Sequence, residues 1–188
     1  ASSVEIIRER KSKVNFSCGV SINNLSLNEN DIGDFKTFLK LSPPLRTEED
    51  RNALVRGLVD ETIDVIVSDH KPEDEENKRL TFAQAETGAS GIETLLPLSL
   101  ELYHNGSVNL ETIIKALTSS PAKILKINKG NLSIGNDADF CIVDINKPWV
   151  VRKEKLISKS KNTPIEDKKL QGKVMNTFVN GEELFKAE

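Results

Sequence analysis

The stretch DVIVSDHKPEDEENKR (64–79) opens as a β-branched run and then breaks, with no glycine, into Asp69-His70-Lys71-Pro72 and a dense patch of charge. A run of this composition, closed by proline and charge, predicts a buried strand over 63–69. Its neighbours decide what kind. TEEDRNALVRGLVDE (47–61) is an amphipathic helix pattern with Thr47 as cap and Glu48 and Glu49 in the first turn, where carboxylates answer unpaired amides. GIETLLPLSLELYHNG (91–106) reads as an apolar helix whose Pro97 either sits in an early turn or kinks it. NLETIIKALTSSPAKILKI (109–127) reads as two helices with a break before Pro121. Upstream, VNFSCGVSI (14–22) predicts a further strand, INNLSLNENDIGDF (22–35) a polar loop and SPPLR (42–46) a proline-stiffened turn. Helix alternating with strand is the pattern of a parallel α/β arrangement. In such folds ligands gather at the carboxyl ends of strands, where side chains leave the packed core. Asp69 is predicted to stand at such an end.

With 188 residues, 37% of them apolar, the chain can bury a core as one domain with a small appendage. A formal charge of −3 provides no basic field, which argues against nucleic acid or an anionic membrane surface as partner. No apolar run approaches membrane-spanning length and no signal-peptide pattern opens the chain, so the cytoplasm is expected. Cys18 and Cys141 lie far apart in strand-like runs and are expected to be two buried thiols in a reducing compartment. SSVEIIRERKSK (2–13) is a polar helix with Val4, Ile6 and Ile7 on one side and nothing ahead of it to pack on, so the chain is expected to begin within a fold.

After residue 128 the pattern changes. KGNLSIGNDADFCIVDINKPWVV (129–151) and KVMNTFVNGEELF (173–185) carry short alternating runs split by Gly, Asn and Asp, which predict β-hairpins with Asn180-Gly181 as a tight turn. SKSKNTPIEDKKLQG (158–172) between them shows no apolar face and reads as a loop, with Asn162 structural. The expected division is therefore 1–127 and 128–188, with Trp149 as an anchor between the two parts. Glu93 and Glu101 are expected on solvated helix surfaces. Asp137 and Asp139 are expected to shape a turn, Asp139 by bonding backbone amides, and Arg46 to form a structural salt bridge.

A metal site needs three or four protein ligands, and the chain has only two histidines, His70 and His104. It cannot assemble a histidine-rich site alone.

IDVIVSDHKP (63–72), KRLTFAQAETGASGIETLLPLSLELY (78–103), SSPAKILKI (119–127), KGNLSIGNDADFCIVD (129–144) and LISKSKNTP (156–164), in this order, resemble the C-terminal half of a dihydroorotase of the amidohydrolase superfamily, the long type related to hydantoinases and allantoinases. SPPLRTEEDRNAL (42–54) resembles that family's Asn-Pro-Pro-Leu-Arg turn and following helix. The resemblance implies the C-terminal part of a (β/α)8 TIM-type barrel with a small β-sandwich appendage. It also implies a centre of one or two metal ions, usually zinc, at the strand ends. Asp69 matches the eighth-strand aspartate, a metal ligand and general base that takes a proton from the attacking oxygen and delivers it to the leaving nitrogen of dihydroorotate. In reverse, N-carbamoyl-L-aspartate closes into the ring, a step of de novo pyrimidine biosynthesis. The remaining ligands would come from the N-terminal half of the same protein, since a barrel needs roughly 250 residues.

Four positions depart from the family pattern. Glu73 replaces a histidine that helps hold the substrate carboxylate, Ser42 replaces an asparagine, Asn23-Asn24 replaces a His-His pair, and Glu86-Thr87-Gly88 replaces Pro-Phe-Gly. Ser42, Lys71, Glu73 and Gly88 are the expected substrate-binding positions. Acids beside an anionic substrate cost roughly 3 kcal/mol each at about 5 Å in a dielectric of about 20, unless Lys71, Lys78 or Arg79 offsets them. The loop EDEENK is expected to be mobile, with no apolar anchor before Leu80. Two other readings follow from the resemblance: a non-catalytic homologue that is a structural partner of aspartate carbamoyltransferase, and a hydantoinase-like cyclic amide hydrolase. A homodimer is a further implied partner state.

Overall fold

Helix α1 (Ser2–Lys11) buries Val4, while Ile6 on the same expected face stays exposed. The computed structural model describes residues 1–187, so the end of the expected 128–188 unit, Glu188, lies outside the described residues. Strand β1 (Gly19–Ser21) is shorter than the β-rich run 14–22, because pairing reaches only three residues. Val14 and Phe16 ahead of it are exposed. The run 22–35 is not simply a loop. Ser21 caps a short helix α2 (Ile22–Ser26), whose Ile22 and Leu25, three apart, are both fully buried, and a capping box of Asn28 and Asp31 starts a 3-10 turn at Glu29–Ile32.

Helix α3 (Glu48–Val59) follows the turn at 42–46, and Thr47 Oγ1 accepts from Asp50 N at 3.2 Å, as the cap predicted. Strand β2 (Val65–Val67) pairs parallel with β1, Val20 opposite Ile66. A short helix α4 (Glu75–Lys78) lies within the charged stretch. Helix α5 (Leu95–His104) holds Pro97 in its first turn, where the missing N–H breaks no helical bond. Helix α6 (Leu110–Leu117), capped by Asn109, breaks at Thr118 before α7 (Ser119–Leu125), and Pro121 sits in the first turn of α7.

The C-terminal part is one antiparallel sheet in the order β3 (Phe140–Val150), β4 (Lys169–Val179), β5 (Glu182–Lys186). Asn180 and Gly181 join β4 to β5 with φ of 51° and 82°, the two left-handed residues of a tight hairpin turn. The appendage is thus a single three-stranded sheet among the described residues, not a sandwich. It shares one core with the helices: Ile22, Leu25, Leu58, Leu98 and Ile113 cluster with Val151 and Leu170, and Trp149 packs against them while its Nε1 donates to Gly172 O at 3.0 Å. Truncating a fully buried member such as Ile113 costs about 2–5 kcal/mol.

Several surface expectations are corrected. Cys18, one residue ahead of β1 with its carbonyl accepting from Asp64 N at 2.8 Å, is half-buried, and Cys141 is exposed on the open face of a single sheet. Burial and the Asp64 carboxylate push the Cys18 thiol up. Glu93 is not merely solvated; it accepts from the amides of Ile157 and Ser158, both at 3.0 Å. Glu101 pairs with Lys168 at 2.8 Å. The segment 158–172 has an inward side, with Asn162, Thr163, Ile165 and Leu170 buried, and its last residues enter β4. Asp139 does bond a backbone amide, that of Asn180 at 2.8 Å, and Arg46 meets Asp50 at 3.8 Å.

Candidate active site

Both parallel strands end on the same side of the fold, where the chain leaving β1 forms a wall and the chain leaving β2 presents Asp69. At the end of β2, Asp69 adopts φ of 49°. Aspartate tolerates this left-handed region better than most residues, and non-glycine residues held there concentrate at functional sites. The turn redirects the chain so that His70 bridges Ala89 in parallel fashion. His70 Nδ1 then accepts from Gly91 N at 3.2 Å, which leaves the proton of a neutral ring on Nε2. Gly91 is required at that contact, since a Cβ there would lie 2.6 Å from Ser68 O.

Asp69 opens into a cavity of about 660 Å³ whose lining includes Ser21, Asn24, Pro43, Pro44 and Arg46. Among the described residues, no hydrogen bond or ion pair engages its carboxylate. Asn24, one of the two amides in place of the family's histidines, donates through Nδ2 to Pro44 O at 3.2 Å and ties that wall to the proline turn. Ser42, one residue before the prolines, is exposed.

Lys71, Glu73 and Gly88 come together further along the same loop, and neither they nor Ser42 line that cavity. Lys71 Nζ donates to Thr87 O at 2.7 Å and pairs with Glu73 Oε1 at 3.2 Å. The carboxylate of Glu73 is thereby partly neutralised by a residue two positions away. Gly88, at φ of 141°, lies so close to Lys71 that a Cβ would sit 2.6 Å from its carbonyl oxygen. Arg79 does not reach Glu73 or Glu86; it pairs with Glu75 at 2.8 Å and Glu76 at 2.9 Å. Glu86 offers its backbone carbonyl, not its carboxylate, to Lys78, at 2.7 Å.

The loop expected to be mobile is anchored, and the anchor is polar. Lys78 is buried, with 1% of its surface exposed, whereas Leu80 is exposed. Asn162 is a second anchor that sequence reasoning left as generic structure. Buried at 2% exposure, it accepts through Oδ1 from Ser90 Oγ (2.8 Å), Ser160 Oγ (2.5 Å) and Glu73 N (3.3 Å), and donates through Nδ2 to Gly88 O (3.2 Å). One side chain from the segment before β4 therefore joins both ends of the Lys71–Gly88 loop. The only signal for it in sequence was its place in the SKSKNTP motif.

Among the described residues no group of three or more His, Cys, Asp or Glu is arranged to hold a metal ion. His104 lies elsewhere, its Nε2 at 3.0 Å from Ile145 O. Asp69 fits the role of a single carboxylate ligand, an unengaged hard oxygen donor at a strand end, and the described residues gather no cluster of further ligands beside it.

A parallel strand pair ending in a free carboxylate beside a pocket fits the family whose model matches residues 1–184, the amidohydrolase family, and the chain belongs to it. Its relatives include dihydroorotases: that of Ehrlichia canis is 41% identical over 186 residues, covering 98% of this chain and 42% of the relative, and that of Acetivibrio thermocellus is 41% identical over 181 residues, covering 95% and 42%. The chain thus spans about two fifths of the length of these relatives. Among solved structures, the L-hydantoinase (dihydropyrimidinase) of Arthrobacter aurescens superposes with a TM-score of 0.93 at 28% identity, over 98% of this chain and 43% of that one. The inactive dihydroorotase-like domain of a CAD-like multifunctional protein from Chaetomium thermophilum shares the fold, with a TM-score of 0.71 at 20% identity over 97% and 48%. No helix among the described residues is long and apolar enough to cross a membrane.

Proposed function

We propose that these residues are the C-terminal part of a zinc-dependent dihydroorotase. In this reading 1–127 complete a (β/α)8 barrel begun by an N-terminal half, 128–188 contribute to its small β domain, and the protein works in the cytoplasm. The observation that carries this reading is the free carboxylate of Asp69 at the end of β2, opening on a pocket, in a chain about 41% identical to dihydroorotases. Bound zinc would supply Lewis acidity to water and to the ring carbonyl. Asp69, which would be a ligand of that ion, accepts a proton from the attacking water as the new C–O bond forms, and returns it to the ring nitrogen as the C–N bond breaks. Lys71 offsets Glu73 so that Ser42, Lys71 and Gly88 can act on an anionic substrate.

The test is dihydroorotate hydrolysis by the full-length protein with a measured zinc content. Turnover that disappears in Asp69→Asn supports the assignment. No turnover by the zinc-replete wild type sinks it and favours the second reading, a non-catalytic homologue partnered with aspartate carbamoyltransferase. The second reading draws on Glu73, an acid where the family places a substrate-binding histidine. Hydantoin hydrolysis in place of dihydroorotate hydrolysis would instead favour a hydantoinase-like enzyme.

A further inference from the structure

The loop after β1 (27–46) lines the pocket through Leu27, Pro43, Pro44 and Arg46, the loop after β2 (68–91) reaches it through Asp69, and lysines bind the two loops together in both directions. Lys78 is the largest fully buried side chain, although it belongs to the most charged stretch of the sequence. None of the chain's described carboxylates pairs with its ammonium. It donates instead to Glu86 O at 2.7 Å, Thr37 O at 3.2 Å and Lys40 O at 3.3 Å, one carbonyl for each of its three N–H bonds. Thr37 Oγ1 returns a hydrogen bond to Lys78 O at 2.5 Å. From the opposite loop, Lys40 Nζ donates to Ala83 O at 2.9 Å and Ala85 O at 2.7 Å, and Lys40 O also accepts from Gly88 N at 3.0 Å.

We propose that Lys78, seconded by Lys40, is a positioning residue: its buried ammonium clasps the loop after β1 to the loop after β2 and so fixes where Ser42, Lys71 and Gly88, the candidate substrate-binding positions, stand relative to one another. The geometry explains the choice of residue. Three converging carbonyls from two loops need a compact donor with three rotatable hydrogens, which the planar fork of arginine does not provide. Methionine would fill a similar volume and leave all three carbonyls without that donor. Burial pushes the ammonium down to about 8, with the charges of Glu73 and Lys71 acting in opposite senses on it, so the clasp is held at an electrostatic cost. Lys78 acts through its neighbours. Lys40 stands two residues before Ser42, Gly88 N is bonded to Lys40 O, and Lys71 is bonded to the residue before Gly88.

The kinetic arm of the test rests on the dihydroorotase reading; the exchange arm does not. In the full-length, zinc-loaded protein, Lys78→Met and the milder Lys40→Met are compared with wild type by amide hydrogen exchange and by dihydroorotate kinetics. Exchange at Gly88 N should quicken by about tenfold or more in Lys78→Met and by less in Lys40→Met, while the β2 amides stay protected. KM should rise about tenfold with kcat falling less than about threefold, a split that loss of folded protein would not produce, because that lowers apparent kcat alone. Unchanged exchange at Gly88 in both variants, or a loss confined to kcat, would overturn the clasp. If Lys78→Met does not fold, Lys40→Met carries the same decision. If wild type does not turn over dihydroorotate, the proposed function falls and exchange alone decides the clasp.

Discussion

Asp69 and Lys78, nine residues apart on one loop, are charged groups treated in opposite ways. Asp69 ends β2 with its carboxylate engaged by no described residue and opening into a pocket, while Lys78 is buried and spends each N–H on a protein carbonyl. A charge left free at a strand end is available to a ligand; a charge saturated by backbone fixes the geometry around it. The difference separates the residue that would do chemistry from the residues that hold the site in shape.

That contrast can be broken most decisively at Asp69. Asp69→Asn should lower dihydroorotate turnover by about three decades or more, by loss of proton transfer and of a metal ligand. In metal-free protein its unfolding free energy should stay within about 0.5 kcal/mol of wild type, because no protein partner is lost. A large stability loss would show that the carboxylate is structural after all. Asn162→Ala probes the other side. It removes one acceptor shared by three donors and one donor to Gly88 O, so it should cost about 2–3 kcal/mol in denaturant unfolding. An effect below about 0.5 kcal/mol would mean that the loop is held without it.

The pH dependence of Lys78 sharpens the contrast further. Its folded pKa, about 8, lies below its ordinary value of 10.5. Below pH 8 both folded and unfolded chains carry the proton and the burial penalty is constant. Between about 8 and 10.5 the unfolded chain holds a proton that the folded one has shed, so stability rises with pH there, by at most about 1.4 kcal/mol per unit. Wild type should therefore gain on Lys78→Met as pH is raised from 8 to 10 in paired unfolding curves. A parallel pair of curves would contradict the burial. The smallest effect is expected at Glu73. Since Lys71 pairs with it at 3.2 Å, Glu73→Gln should improve KM for dihydroorotate by less than about tenfold, well short of the roughly 3 kcal/mol expected of an unpaired acid.

Much of the scaffold was legible because local rules agreed with the outcome. Thr47 and the acids after it announced α3, Pro97 and Pro121 fell in first turns, and Asn180-Gly181 closed the last hairpin. The failures share a cause. The run 14–22 looked like a long strand, but strand length is set by a partner, and β2 pairs with only three of its residues. Cys141 looked buried because its run alternates, yet burial needs a second layer over the sheet. Lys78 was expected only as a possible counter-charge to nearby acids and Asn162 only as generic structure, because the average polarity of a residue type says nothing of its burial. Their burial follows from backbone carbonyls and hydroxyls that converge only after the chain has folded.

The sequence by itself determined the order of the longer helices and of the strands, most of the caps and turns between them, and the strand end that offers Asp69, because propensity, capping and periodicity act within a few residues. Only the tertiary structure decided that Lys71 would meet Glu73, that Lys78 would join two loops, and that Asn162, from 74 residues further along the chain, would close the loop at Gly88. Those contacts exist because buried carbonyls and amides must find partners wherever the fold brings them, at sequence separations no local pattern encodes.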